Sequence, residues 1–260
     1  MSQAYTKYRT LPKILLSNDD GIRSDGLKAL YDALSTFAEV VVVAPDRERS
    51  AVGRALTLHR PIRCEKVADN WYAVDGTPTS CVYIGVHAVM NGERPDMIIG
   101  GINRGPNLGE DITYSGTVSI AMEGALLGIP SIAFSLATFT DFHWNAAAEY
   151  ARRITLKVAE KGLPEGCCLN VNIPNLPLEE IKGIKATKQG KKAYSEKVEE
   201  RKDPWGRSYY WIGGEEPNWK AEPGTDYWAV KNGFVSITPI QLDLTDYKAL
   251  SIIKTYDWEK

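Results

Sequence analysis

Residues 40–44 read Val-Val-Val-Val-Ala, an unbroken and mostly β-branched apolar run with no polar alternation. The run is far shorter than the roughly 18 residues a membrane-crossing helix needs, and it offers no face to water. It therefore predicts a strand covered on both sides, as happens inside a parallel sheet. Comparable short runs occupy residues 13–17, 97–99, 131–135 and 168–172. Helical patterns separate them. Leu27, Leu30, Tyr31 and Leu34 fall at i, i+3, i+4 and i+7, and Thr77-Pro78 gives an N-cap with proline at the first helical position before residues 81–89. Val118, Ala121, Met122, Ala125 and Leu126 form a further stripe closed by Gly128 and Pro130, and residues 145–161 predict a last helix. Strands alternating with helices imply βαβ units with right-handed crossovers. The predicted fold class is α/β: a Rossmann-like, mainly parallel sheet with helices on both faces, plus a C-terminal extension of hairpins.

Composition narrows the function classes. Thirty-one Lys plus Arg stand against 33 Asp plus Glu, a net charge of −2, so no global basic field invites a nucleic-acid polymer. The opening MSQAYTKYRTLPK lacks the apolar core of a secretory signal and reads as a polar lead-in. Cys64, Cys81, Cys167 and Cys168 contain no CxxC pair and predict reduced, buried thiols in a cytoplasmic protein.

The texture changes after about residue 175. Lys182, Lys185, Lys188, Lys191 and Lys192 are followed by Glu196, Glu199 and Glu200, which predicts a solvated, irregular segment. Residues 203–228, with Trp205, Trp211, Trp219 and Trp228, suit hairpins laid over the core or exchanged with another subunit. The organisation expected is a lead-in at 1–12, a core at 13–175, and an extension at 176–260 that completes the same domain and forms an oligomer interface.

In an open parallel sheet, ligands sit beyond the carboxyl ends of the strands. Asp19 and Asp20 follow the first strand, Ser50 follows the second within PDRERSAVG, and Asn103 and Asn107 follow the run at 97–99 within GINRGPN. Adjacent carboxylates at the rim of a partly dry cleft repel each other unless positive charge lies beside them. Two carboxylates, a hydroxyl and an amide oxygen suit a hard cation, Mg²⁺ or Mn²⁺. The alternative for Asn18-Asp19-Asp20-Gly21 is a turn that caps the next helix. Tyr114-Ser115-Gly116-Thr117 leads into the Val118 helix, where free N–H groups and hydroxyls suit an anion; a plain N-cap is the alternative there. Metal and anion together suggest phosphoryl chemistry.

Absent motifs sharpen this. No GxxxxGK[ST], GxGxxG or GxSxG occurs, so a P-loop, a dinucleotide fingerprint and a nucleophile elbow are all missing. His87 is expected to pack in the core of its apolar helix, and His59 and His143 have no partner at metal-ligand spacing.

The ordered series ILLSNDDGIRSDGLKAL, VVVVAPDRERSAVGRALT, VDGTPTSCV and IIGGINRGPNLGEDITYSGTVSIAMEGALLGIPSIAFS closely resembles the SurE family of metal-dependent nucleotidases. The likeness is strong over residues 13–136 and looser through YYWIGG and GFVSITPIQLDLT. It implies a phosphohydrolase acting on nucleoside 5′-monophosphates, with 3′-monophosphates and short polyphosphate as further substrates. It also implies one Mg²⁺ or Mn²⁺ held by Asp19, Asp20, Ser50 and Asn103, with Asp19 and Asp20 catalytic. Asn107, Ser115, Gly116 and Thr117 would line the phosphate pocket. The family is cytoplasmic and forms homodimers or homotetramers with C-terminal exchange, without a membrane or nucleic-acid partner. The lead-in before Lys13 departs from the family, which starts almost at its first strand.

Two other classes stay open on the residues alone. A receiver-like phospho-acceptor domain also uses acidic residues after its first strand and Mg²⁺, but Leu136-Ala137-Thr138 offers no lysine after the 131–135 strand. A non-catalytic nucleotide-binding module would bind without releasing phosphate.

Overall fold

The apolar runs become strands of one nine-stranded sheet in the order β3-β4-β2-β1-β5-β6-β7-β13-β8. The computed structural model describes residues 11–193, 198–212 and 218–258. The lead-in call at 1–12 therefore lies almost wholly outside the described residues. β1 (Lys13–Ser17) and β2 (Glu39–Pro45) flank α1 (Asp25–Leu34). β3 (Cys64–Ala68) and β4 (Trp71–Val74) form an antiparallel pair at the sheet edge that the sequence pattern did not disclose. Next come α2 (Pro78–Ile84), continued by a π-helical stretch at Gly85–Val89, then β5 (Met97–Arg104) and a 3-10 turn at Gly109–Thr113. α3 (Gly116–Leu126), β6 (Ser131–Ala137), α4 (Trp144–Lys161) and β7 (Cys167–Pro174) complete the alternation.

β4, β2, β1, β5, β6 and β7 run parallel. β1 connects to β2 on one side of itself, and the chain later returns to β5 on its other side, so the strand order reverses between β1 and β5. That gap at the carboxyl ends of the strands is where such folds bind ligands.

Both sheet faces are covered, as the continuous apolar runs require. Ile14 and Leu16 of β1 join Val40 and Val42 beneath α1 and α4, whereas Leu15 joins Val43, Ile98 and Val82 beneath α2 and α3. The Thr77 N-cap is formed, its hydroxyl accepting from the N–H of Ser80 at 3.2 Å. Some expectations fail in detail. His87 is exposed and packs on Tyr83 with ring centroids 4.5 Å apart, because it lies on the outer side of the π-helical stretch. Leu126, at the end of the α3 stripe, is exposed. Cys81 and Cys168 are buried, but Cys64 is exposed on the edge strand β3.

The extension contributes to the same sheet. β8 (Ile184–Ala186) pairs in parallel with β13 (Val235–Gln241), and β13 runs antiparallel to β7. β9 (Lys192–Ala193) pairs with β12 (Asn218–Trp219), and β10 (Val198–Lys202) with β11 (Ser208–Ile212), as antiparallel ladders outside the main sheet. α5 (Asp226–Lys231) precedes β13 and α6 (Tyr247–Ile253) follows it. No helix among the described residues is long and apolar enough to cross a membrane.

Candidate active site

The turn after β1 is built by Asn18, which is fully buried. Its Nδ2 donates to the carbonyl of Gly21 at 3.0 Å and to Ser24 Oγ at 2.6 Å, folding the chain so that Asp19 and Asp20 reach the sheet rim. The N–H of Arg49 donates to the Asp19 carbonyl at 2.7 Å and brings the loop after β2 alongside. Arg104, at the end of β5, gives its backbone N–H to Asp20 Oδ2 at 3.1 Å and its Nε to Oδ1 at 3.2 Å.

Asp19, Asp20, Ser50, Asn103, Asn107 and Ser115 all line one cleft of about 540 Å³. Ser50 is exposed, and its hydroxyl donates to Glu48 Oε1 at 2.9 Å. Asn103 turns its Nδ2 to the carbonyl of Gly105 at 2.9 Å, which leaves the amide oxygen as its accepting end. Asn107 is buried, with Nδ2 donating to Ser135 Oγ at 2.7 Å.

Gly116 and Thr117 stand behind Asp19 and are not part of the cleft wall. The Thr117 hydroxyl and N–H both turn to the Asp19 carboxylate, so the start of α3 already receives an anion from within the chain. A Cβ on Gly116 would lie 2.8 Å from the Asp19 carboxylate, so only glycine lets the helix approach this closely. Ser115 does reach the cleft while its hydroxyl accepts from the N–H of Val118 at 3.0 Å.

Burial pushes the Asp19 carboxyl up to about 6, against the Thr117 hydroxyl, which pulls it down; the neighbouring Asp20 charge adds to the rise. Burial also raises Asp20, which the Arg104 N–H and guanidinium partly oppose. Two carboxylates therefore share a desolvated rim with one arginine beside them, a donor set that calls for more positive charge. No group of three or more His, Cys, Asp or Glu among the described residues could hold a metal. Any cation at this rim would draw its remaining donors from the hydroxyl of Ser50 and the amide oxygen of Asn103, both neutral oxygens suited to a hard ion.

Sequence reasoning missed the supports. Asn172 Oδ1 accepts from the N–H of Asn107 at 2.8 Å, while the Asn107 carbonyl accepts from Asn170 Nδ2 at 2.8 Å and Asn172 Nδ2 at 2.9 Å. The signal was present in Asn170-Val171-Asn172, two polar residues at period two in a buried strand. The basic stretch is less solvated than its composition suggests: Lys192 is half-buried and its Nζ contacts both Asp111 carboxylate oxygens, at 2.8 and 2.7 Å.

A family model described as "Survival protein SurE" matches residues 14–196. This chain belongs to the SurE family. A SurE relative from Aquifex aeolicus (strain VF5), named 5′-nucleotidase SurE, is 54% identical over 94% of this chain and 98% of its own. Another 5′-nucleotidase SurE, from Geotalea daltonii, is 51% identical over 94% of this chain and 99% of its own. The crystal structure of the SurE protein from Aquifex aeolicus superposes with a TM-score of 0.86, covering 94% of this chain and 98% of that one. The resemblance read from the NDDG, ERSA and GINRG segments and the α/β fold class are thus both correct.

Proposed function

We propose that this SurE chain is a divalent-metal-dependent phosphohydrolase that releases phosphate from nucleoside 5′-monophosphates, with 3′-monophosphates and short polyphosphate as further substrates. Nucleotidase activity is the function named for the relatives above. The observation that carries the reading is the convergence of Asp19, Asp20, Ser50 and Asn103, from two loops and the end of β5, on a single cleft with Asn107 and Ser115.

The donor set fits Mg²⁺ or Mn²⁺, since two buried carboxylates need a compensating charge and the other donors are neutral oxygens. A bound dication supplies polarisation of the phosphoryl oxygen and neutralisation of charge in the transition state. Asp19 and Asp20 anchor it, and Ser50 and Asn103 complete its shell. Asn107 and Ser115 face the phosphoryl group, while Gly116 and Thr117 act through Asp19. A carboxylate at this rim orients the attacking water and takes its proton.

The same proposal includes a cytoplasmic homodimer or homotetramer built through the extension. Trp205, Trp211, Ile212 and Leu244 are exposed on it, an apolar surface of the kind that subunit contacts cover.

The test is Asp19→Asn, assayed for phosphate release from AMP with Mg²⁺ or Mn²⁺ and checked for fold by circular dichroism. Turnover is expected to disappear with the fold intact. Undiminished turnover rejects the assignment.

A further inference from the structure

Phe139 is the most exposed aromatic ring on the cleft wall, with 75% of its surface open to water. It does not sit on a loose segment. Thr138 Oγ1 donates to the carbonyl of Thr140 at 2.6 Å and accepts from the N–H of Thr140 at 3.1 Å. Farther along, Asn175 closes the loop, accepting from the N–H of His143 at 2.9 Å and donating to the Asp141 carbonyl at 3.0 Å. The ring rests edge-on against Gly105, whose φ is +100° and where any Cβ would collide with the Phe139 ring. Gly105 therefore brings a large apolar ring against the main chain between Asn103 and Asn107, then leaves its outer surface bare. Among the described residues no other ring covers it, although Tyr114, itself 60% exposed, lines the same cleft.

The charged side chains of the cleft are already committed. Arg104 pairs with Asp20 and approaches Glu48, Glu48 accepts from Ser50, and Asp111 is held by Lys192. Each of these charged groups therefore already has a partner within the protein. An aromatic face, in contrast, accepts every base, because every base has a π-face.

We infer that Phe139, with Tyr114 as the second aromatic of the cleft, is the stacking platform for the substrate's nucleobase, and that the site recognises the base by its face and not by its edge. This rests on the nucleotidase reading and deepens it: the substrates are nucleoside monophosphates with little discrimination among bases. Phosphate esters without a base gain nothing from the platform.

The experiment compares wild type, Phe139→Ala and Phe139→Trp on AMP, GMP, CMP, UMP and ribose 5-phosphate. Because the ring is so exposed, the substitutions leave the fold undisturbed. Phe139→Ala is expected to lower kcat/KM about tenfold on the nucleotides. The loss should fall in KM, be larger for purines, spare ribose 5-phosphate, and be recovered by tryptophan. Equal loss on ribose 5-phosphate, or none on the nucleotides, overturns the platform while wild-type turnover preserves the nucleotidase reading. Calorimetric titration of AMP and ribose 5-phosphate in chelator reads the same contact without turnover. If wild type hydrolyses none of the five esters, the nucleotidase reading fails, yet selective loss of AMP binding in Phe139→Ala still supports the platform and unchanged binding still overturns it.

Discussion

The Thr117 hydroxyl donates a hydrogen bond to Asp19 Oδ1 across 98 positions of sequence, and its N–H turns to the same carboxylate. The start of α3 thus orients the buried acid of the cleft. Removing the hydroxyl while keeping the shape, as in Thr117→Val, takes away the largest influence that holds the Asp19 carboxyl down. Partners that orient a metal-binding carboxylate usually matter by 10- to 100-fold in affinity or activity. Thr117→Val is therefore expected to weaken Mn²⁺ binding about tenfold and to need correspondingly more cation for phosphate release. Thr117→Ser should retain both. Titration calorimetry and a cation-dependence series check this, and wild-type behaviour of the valine variant would refute it.

The raised Asp19 carboxyl also makes stability depend on pH. In the unfolded chain Asp19 loses its proton near 3.8, whereas in the fold it keeps it to about 6. Between those values the folded state binds more protons, so stability falls as pH rises through the window and stays low above it. The full difference is about 3 kcal/mol. In chelator, Asp19→Asn is expected to raise the urea midpoint at pH 8 and to leave it unchanged at pH 3, below both values. Adding Mn²⁺ at pH 8 should restore wild type and do little for the variant. A midpoint lowered by the substitution at pH 8 contradicts this account.

The core strands were legible because a parallel sheet covered on both sides leaves a distinctive trace, the unbroken apolar run. β3 left none, because Cys64–Ala68 is exposed at every position on the sheet edge. β4 left only the four apolar residues Trp71–Val74, too short a run to separate from a loop without its neighbours. β13 was equally obscure, since Val235–Gln241 alternates and contains Pro239, and its place beside β7 depends on contacts far apart in sequence. The site divides in the same way. Residues that present oxygen at a strand end, such as Asp19 and Asn103, can be found from local position. Thr117 could be located as a helix start, but its aim at Asp19 was set by the close packing at Gly116, which is a tertiary fact.

Asn107 depends on β7 for its place. Asn172 bonds both its N–H and its carbonyl, and Asn170 adds a second donor to the carbonyl. Asn172→Ala leaves the Asn107 N–H without that acceptor in a dry interior, at a cost of about 1–3 kcal/mol. The expected result is a lower unfolding free energy by that amount, with a raised KM for AMP, because the amide proposed above to face the phosphoryl group loses its fixed position. Urea unfolding and steady-state kinetics measure the two effects separately. Unchanged stability would show that this peptide is held by other means.

Asp226, at the start of α5, reaches out of the extension to the 3-10 turn at Gly109–Thr113. It is fully buried, and its carboxylate accepts from the N–H of Gly109 at 2.9 Å and the N–H of Gly190 at 2.8 Å. Gln189 Nε2 donates to the Gly109 carbonyl at 3.0 Å, and the N–H of Lys192 donates to Glu110 Oε2 at 2.7 Å. The extension thereby grips the turn that follows Asn107 and carries Asp111 into the cleft. Burial raises the Asp226 carboxyl, and the backbone N–H groups around it partly oppose that rise. Asp226→Ala should free two buried N–H groups together and loosen this turn without melting β5 or α3. Hydrogen exchange is expected to accelerate at Gly109 and Gly190 well before the amides of residues 97–100, and kcat/KM for AMP to fall. Uniform acceleration across the sheet would mean that Asp226 supports the whole fold, and unchanged exchange at both glycines would mean that the grip resides in Gln189 and Lys192.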